Sequence, residues 1–587
     1  MNILGINAYH GDSSACLARD GKLVAAVEEE RFKRIKHWAG FPGESIRYCL
    51  KAGGISIRDV DCVAVNRNPR ANFWRKALFA FLKRPGWNGV RDRLKNASRF
   101  HDVREALAQT LGVPSEGIRS RIHYVEHHRA HLASAFFVSG FSSAALLSVD
   151  GFGDFVSTMW GSGEDSTLAV KGQVYFPHSL GLFYSALTQY LGFPHYGDEY
   201  KVMGLASYGR PSYLSEMRKI VRLKHGGRFQ LDLDYFLHHA EGVSMAWENG
   251  APVVEKVYSD RLAGLLGPAR VPGEPLSSRH EDLAASVQTM YEEAFFHVLD
   301  FVYEQTWNAR LCLAGGCAMN GVANGKILDR TRFKNIYVQA AAGDAGGAIG
   351  AAYTVWNQLH GRPRSFVMDH AYWGPEYGKE INEELRIKNE ELKRSGCEIE
   401  EISDSKALLQ KTAGRIAGGK VVGWFQGRME LGARALGNRS ILCDPRRADM
   451  KNVLNARIKH RESFRPFAPS ILRERTAEWF ERDGDVAFMS QVYSIRPEKR
   501  ARIPAVTHVD GSGRLQTVAR AQNSLYYDLI LEFEKLTGVP ILLNTSFNEN
   551  EPIVCSPREA VECFLRNRMD VLVMGSYFIQ KEACPEE

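Results

Sequence analysis

The chain has 587 residues, 44% hydrophobic and 24% charged, with a formal net charge of +7. That length exceeds what one core needs and predicts two or more domains of an ordinary globular protein. No segment is apolar and long enough to span a bilayer, and no signal-peptide layout precedes Ile3-Leu4-Gly5-Ile6, so a soluble, cytoplasmic protein without stable membrane insertion is expected. The ten cysteines show no zinc-ribbon or redox spacing, and Cys16, Cys312 and Cys443 sit in apolar, strand-like runs that suit reduced, structural thiols. The excess of 75 Lys+Arg over 68 Asp+Glu is mild, and anionic small substrates account for it as well as nucleic acid does.

In chain order, residues 3–6, 15–17 and 23–27 read as short strands, with the hairpin dipeptide Asp20-Gly21 before the last. Arg and Lys then cluster between Arg67 and Arg104 around Phe73, Trp74, Leu78, Phe79, Phe81 and Leu82. This stretch predicts an amphipathic helix, packed on its own domain or facing a membrane surface or lipid-linked acceptor. A strand at 144–149 ends in Asp150-Gly151. Residues 281–305 lack Gly and Pro and predict a long helix, which leads to a strand at 311–314 closed by Gly315-Gly316. The turn 343–347 opens another helix through Ala352. Strands that end in Gly/Asp turns and enter helices predict an α/β fold. Composition shifts after about Gln358, and residues 360–394, charged and without clear periodicity, read as a linker or domain edge. A second α/β pattern follows, with helices at 406–417 and 557–566 and strands at 421–425 and 571–574. Domains at 1–360 and 361–587 are expected, with no internal repeat.

His127 and His131 stand at i and i+4, which on a helix points both imidazoles the same way. With Asp150 and Asp344 in strand-end and glycine-rich turns, the pair suggests a divalent-metal site; core-satisfied histidines are the competing reading. The sequence lacks H-E-x-x-H, which disfavours a hydrolytic zinc site. His10, just beyond the first strand, is placed to act as a general base, or is an ordinary loop histidine. Glycine-bearing turns at Gly11-Asp12-Ser13, Asp150-Gly151 and Gly315-Gly316 suit close approach to a nucleotide. Later, Arg428, Arg434, Arg439, Lys459, Arg461 and Arg465 form a cationic run, followed by Asn544-Thr545-Ser546-Phe547-Asn548. Together these suit a polyphosphate-binding cavity, against the alternative of a solvated face.

In combination these residues resemble the NodU/CmcH-type O-carbamoyltransferases. The resemblance rests on Gly5 to His10 with Asp12-Ser13-Ser14, Glu28-Glu29-Glu30-Arg31-Phe32 with Lys36, and His127-His128-Arg129-Ala130-His131. It extends through Lys201-Val202-Met203-Gly204-Leu205-Ala206, Ala314-Gly315-Gly316-Cys317-Ala318-Met319-Asn320, Gly437-Asn438-Arg439-Ser440 and 544–548. It implies an N-terminal actin/sugar-kinase-like (ASKHA) domain fused to a C-terminal YrdC-like α/β domain. It further implies a metal, iron(II), on His127, His131, Asp150 and Asp344, with His10 as catalytic base. Asp12, Lys36, Gly315, Gly316 and Asn320 would serve the nucleotide of that centre. Arg434, Arg439, Lys459, Arg465, Asn544 and Ser546 would bind carbamoyl phosphate and Mg-ATP and make a carbamoyl-adenylate. The implied acceptor is a hydroxyl of a small molecule or saccharide, with no nucleic-acid partner and the oligomeric state left open. A tRNA threonylcarbamoyl-transfer enzyme and a non-catalytic nucleotide-binding protein are the alternatives.

Overall fold

A computed structural model describes residues 1–83, 103–240, 245–248 and 250–581. The chain divides into two compact mixed α/β units, Met1–Met368 and Asp369–Glu587. In the first unit, Asn2–Asn7 pairs antiparallel with Ser14–Arg19, which pairs antiparallel with Lys22–Glu28 across Asp20-Gly21. Both turn residues have positive φ (49° and 76°), as a twist-matched two-residue hairpin requires. Cys62–Val65 and Arg121–Tyr124 then add parallel strands on the other side of Asn2–Asn7. In chain order this sheet reads 3-2-1-4-5. Leu4, Ile6, Leu17, Val27, Ile46 and Val63 bury their side chains on it.

A second sheet of the same unit repeats that plan. Ser143–Gly153, Val156–Glu164 and Thr167–Tyr175 form the antiparallel triplet, and Arg310–Ala314 and Asn335–Val338 follow parallel to its first strand. Its order is again 3-2-1-4-5. The expectation of no internal repeat is therefore corrected at the level of topology. Strand polarity and burial define the duplication, and these do not demand residue identity. The helix Ser278–Thr306 precedes the fourth strand and buries one wide face, including Leu283, Val287, Met290 and Phe295. The helices His127–Phe136 and Gly347–Tyr353 cross closely, because a Cβ at Gly350 would stand 1.7 Å from the Ala130 carbonyl oxygen.

The second unit is built on a nine-stranded mixed sheet. Its centre is Val422–Phe425, Arg439–Cys443, Ile541–Ser546 and Ala468–Leu472, paired antiparallel in that order. Trp424, Ile441, Leu442, Leu542 and Phe547 form its core together with residues of the helices Ser405–Ala417, Ser524–Thr537 and Pro557–Arg566. Within the stretch read as a linker, Lys379–Arg394 is a 16-residue helix. Its buried positions, Ile381, Leu385 and Leu392, recur at helical spacing, and the helix packs on Pro557–Arg566. Three buried apolar residues among charges, with Ile387 exposed, are too few to announce that period.

Cys16, Cys312 and Cys443 are free and buried. Of the basic aromatic stretch, Phe73–Lys83 is helical, and residues 84–102 lie outside the described residues. Phe79 packs edge-on against Phe155 and Phe176, while Phe73, Trp74, Leu78 and Phe81 are exposed. Among the described residues no helix is long and apolar enough to cross a membrane.

Candidate functional site

The Glu126 carboxylate accepts from the Arg129 N–H at 2.7 Å and starts a helix at His127. His127 and His131 therefore share one helix face, and both are fully buried. Asp150 lies where the register of Ser143–Gly153 breaks, and Asp344 opens the single turn before the helix at Gly347. The four side chains meet. Asp150 Oδ2 is 3.0 Å from His127 Nε2 and 3.2 Å from His131 Nε2. Asp344 Oδ1 is 3.5 and 3.4 Å from the same two nitrogens. The Nε2 atoms are 3.0 Å apart, and one donor atom from each residue lies within 4.8 Å of the others. The far nitrogens, Nδ1 of both rings, are buried without hydrogen-bond partners.

Electrostatics asks for positive charge at this point. Burial alone would lower the His131 imidazole, yet hydrogen bonds and charge from Asp150 and Asp344 push it up to about 9. His127 is raised against its burial and the His131 charge by the same two carboxylates. Burial would raise Asp150, but the two imidazoles hold it well below the usual carboxylate range. Two imidazoles and two carboxylates aimed at one spot fit a divalent transition-metal ion. His128 is different: Ser148 Oγ and the Val156 carbonyl engage its two nitrogens at 2.9 Å each, so it is a satisfied core histidine.

Glycines aim this set. A Cβ at Gly153 would stand 2.0 Å from His127 Cδ2. Gly315 has φ +92° and passes so close to Val149 that a Cβ would meet its carbonyl oxygen at 2.3 Å. The next N–H, of Gly316, donates to Asp150 Oδ1 at 3.0 Å. Gly315 and Gly316 thus place the Asp150 carboxylate of the candidate metal site.

The His10 ring centroid is 5.2 Å from that of His127. Burial first, then the charges of Arg67, His127 and His131, hold its imidazole well below the ordinary histidine value against the pull of Asp150. At neutral pH its imidazole is therefore unprotonated, as a base requires. Asp12 turns instead to His37 (Oδ1 to Nδ1, 2.8 Å), whose N–H donates to Glu30 at 2.8 Å. Lys36 is the exposed neighbour of His37. Asn320 caps the helix Gly321–Gly325 through the Ala323 N–H (3.1 Å) and exchanges two hydrogen bonds with Gln288.

Sequence reasoning missed Arg67, Asp154 and His37. Asp154 accepts from the N–H groups of Asn68 (2.7 Å) and His127 (3.0 Å), tying the His127 helix to the segment after Cys62–Val65. Its one sequence signal is the run Asp150-Gly151-Phe152-Gly153-Asp154, with acids at both ends.

In the second unit, Lys459 is buried and donates to Asn548 O (2.7 Å), Asn548 Oδ1 (2.8 Å) and Ser546 Oγ (3.4 Å). Burial and the charge of Arg461 lower its ammonium well below the ordinary lysine value, with Arg465 adding to the effect. Arg465 itself is 3.5 Å from Glu462. Burial, and then the charge of Arg434, depress the Arg514 guanidinium. Arg439 is fully buried; it donates to the carbonyls of Gln426, Asn438, Gly427 and Pro375 at 2.6–3.2 Å and stacks 3.7 Å over Phe425. Its guanidinium is a brace for the loop. Asn544 is also internal, donating to Ala435 O, Ser470 Oγ and Gln516 Oε1, and Gln516 in turn holds Leu436 O. Glu430, a buried acid inside the cationic run, accepts from the N–H groups of Leu436, Asn438 and Arg439 at 2.7–3.2 Å. Sequence reasoning had passed over it.

The chain matches the family models described as carbamoyltransferase N-terminus over residues 2–353 and carbamoyltransferase C-terminus over residues 413–581. It is 42% identical to nodulation protein NolNO of Sinorhizobium fredii, over 99% of this chain and 81% of that one. Nodulation protein U of Azorhizobium caulinodans is 36% identical over 93% of each chain. Among solved structures, HypF of T. kodakarensis aligns with a TM-score of 0.31 and 14% identity, covering 61% of this chain and 48% of its own, too distant to add to the assignment. Matched in both halves and along nearly its whole length, the chain belongs to the carbamoyltransferase family.

Proposed function

We propose that this protein is an ATP-dependent O-carbamoyltransferase. Its first unit is the transfer centre, with an actin/sugar-kinase-like fold, and its second, read as YrdC-like, makes a carbamoyl-adenylate. The observation that carries the reading is the convergence of His127, His131, Asp150 and Asp344 beside His10, in a chain of this family. The two sheets of identical order in the first unit support the actin/sugar-kinase reading.

In the second unit, water cleaves carbamoyl phosphate to carbamate and phosphate. A carbamate oxygen then attacks the α-phosphorus of ATP, and the bond to pyrophosphate breaks. Both reactants are anions, so preorganised cations are the main resource. We assign that role to Arg434 and Arg465, whose charges help to depress Arg514 and Lys459 respectively. We assign Ser546, whose hydroxyl accepts from Lys459, to the same cavity, while Lys459, Asn544, Arg439 and Glu430 hold the walls.

In the first unit the acceptor's hydroxyl oxygen attacks the carbamoyl carbon, the bond from that carbon to the AMP oxygen breaks, and the hydroxyl proton passes to the imidazole of His10. His127, His131, Asp150 and Asp344 would hold a divalent ion, iron(II) on the family resemblance, which supplies positive charge for the departing phosphate. The N–H of Gly316 and the N–H of His127 keep Asp150 and Asp154 in place. We assign Asp12, Lys36 and the 315–320 turn to the nucleotide side of this centre.

The acceptor class is a hydroxyl-bearing small molecule or saccharide. Full-length protein incubated with ATP, carbamoyl phosphate and candidate sugars, aminoglycosides or lipid-linked saccharides is expected to give one carbamoyl mass gain by mass spectrometry. The gain should require both ATP and carbamoyl phosphate. Transfer that proceeds equally without ATP contradicts the adenylate route.

A further inference from the structure

Cys62 and His123 stand on adjacent parallel strands, with Ala64 opposite His123 and Cys62 opposite Arg121. Residues two apart along a strand share a face, so the thiol and the imidazole project from the same side of the sheet. His360 reaches that side from a different element. The helix begun at Gly347 continues into a π-helical turn, Thr354–Leu359, and the His360 N–H donates back five residues to Val355 O at 3.0 Å. Such wide turns re-aim the residue that follows them.

Cys62 Sγ lies 3.7 Å from His360 Nε2, and the His123 and His360 rings meet edge to face at 6.4 Å. One donor atom from each residue lies within 4.8 Å of the other two. Metal–sulfur and metal–nitrogen bonds of about 2.3 and 2.0–2.1 Å at a tetrahedral angle separate S and N by about 3.6 Å. The observed 3.7 Å matches that span. A thiol–imidazole hydrogen bond would also explain this one distance, but it leaves out the third residue. Nε2 of His123 is buried and has no hydrogen-bond partner, which is costly unless something else engages the ring. Cys62 is buried, His123 half-buried and His360 exposed, so the cluster opens to solvent on one side.

We propose that Cys62, His123 and His360 form a second metal site, which takes a thiophilic divalent ion of the zinc class with water as a fourth ligand. One thiolate with two imidazoles is a borderline-soft donor set that favours zinc or cobalt over magnesium or calcium. Binding displaces the thiol proton, forming the metal–sulfur bond and releasing one proton to solvent. The site belongs to the far end of the helical segment that Asp344 precedes. Thirteen residues at 1.5 Å each put it roughly 20 Å away along that segment, so it is separate from the histidine–aspartate centre. It fastens the end of the segment to two strands of the first sheet.

The test uses full-length protein stripped with chelator and reloaded with cobalt(II) alone. Wild type is expected to show a near-ultraviolet thiolate-to-cobalt charge-transfer band and to hold one more equivalent of metal than Cys62→Ser. His360→Ala, a change at an exposed position, should weaken the band-forming site at least tenfold. His131→Ala should keep the band while losing metal at the other centre. Absence of the band in wild type, its persistence in Cys62→Ser, or unchanged affinity in His360→Ala would overturn the proposal.

Discussion

The space that a side chain at residue 153 would fill is taken by the His127 ring, 2.0 Å from the position of a Cβ. Gly153→Ala therefore must tilt the ring or shift the strand. We predict a 10–100-fold loss of metal affinity, the range seen when the support of a ligand is disturbed, with a parallel loss of carbamoyl transfer. Pyrophosphate release from ATP and carbamoyl phosphate should be unchanged. Metal analysis and the two assays on the same preparation check this. A second residue-scale prediction concerns His37. Burial would lower its imidazole, but the charge and hydrogen bond of Asp12, with Glu30, outweigh it and raise the value to about 9. Because that lies above the unfolded 6.5, the stabilisation from the pair is complete below about 6.5 and is lost as pH rises through about 9. A histidine ring resonance titrating near 9 should be found by NMR and should fall to 6.5 or below in Asp12→Asn. That His127, His131, Asp150 and Asp344 come together was legible in the sequence at this scale, because i, i+4 spacing and strand-end turns are local signals. Arg439 was not. Its charge was visible, but the carbonyls that take up its donors belong to residues as distant as Pro375.

At the scale of elements, the segment from Gly427 to Ser440 has little regular structure, and its shape comes from Glu430 inside and Asn544 and Gln516 outside. Removing the Glu430 carboxylate leaves three buried N–H groups without an acceptor. Glu430→Ala is predicted to destabilise the protein by about 3 kcal/mol, at the upper end for charged hydrogen bonds, and to reduce pyrophosphate release at least tenfold. Metal content at the histidine–aspartate centre should stay at the wild-type level. Thermal unfolding, the pyrophosphate assay and metal analysis on one preparation decide it. Helices with a broad apolar stripe, such as Ser278–Thr306, were readable from composition. Lys379–Arg394 was not, since it buries only three apolar side chains against a neighbouring helix and presents charge elsewhere. For such an element, tertiary packing rather than its own pattern stabilises the fold.

For the whole molecule, two features carry most of the meaning: a first unit made of two sheets with the same strand order, and a second unit with a separate nine-stranded sheet. The α/β class was legible from strands that end in Gly/Asp turns. The duplication was not, because two sequences can share polarity and burial while sharing few residues, and intervening segments such as Leu180–Tyr190 and Ser278–Thr306 enlarge the second copy. The central claim is that activation and transfer are separate chemistries within one chain. It is tested most directly by His10→Asn, assayed side by side with wild type for pyrophosphate release and for carbamoylated acceptor. The account predicts pyrophosphate release within twofold of wild type and acceptor product reduced by at least 100-fold, on the order expected for loss of a general base. Parallel loss of both activities, or acceptor product at the wild-type rate, would contradict it.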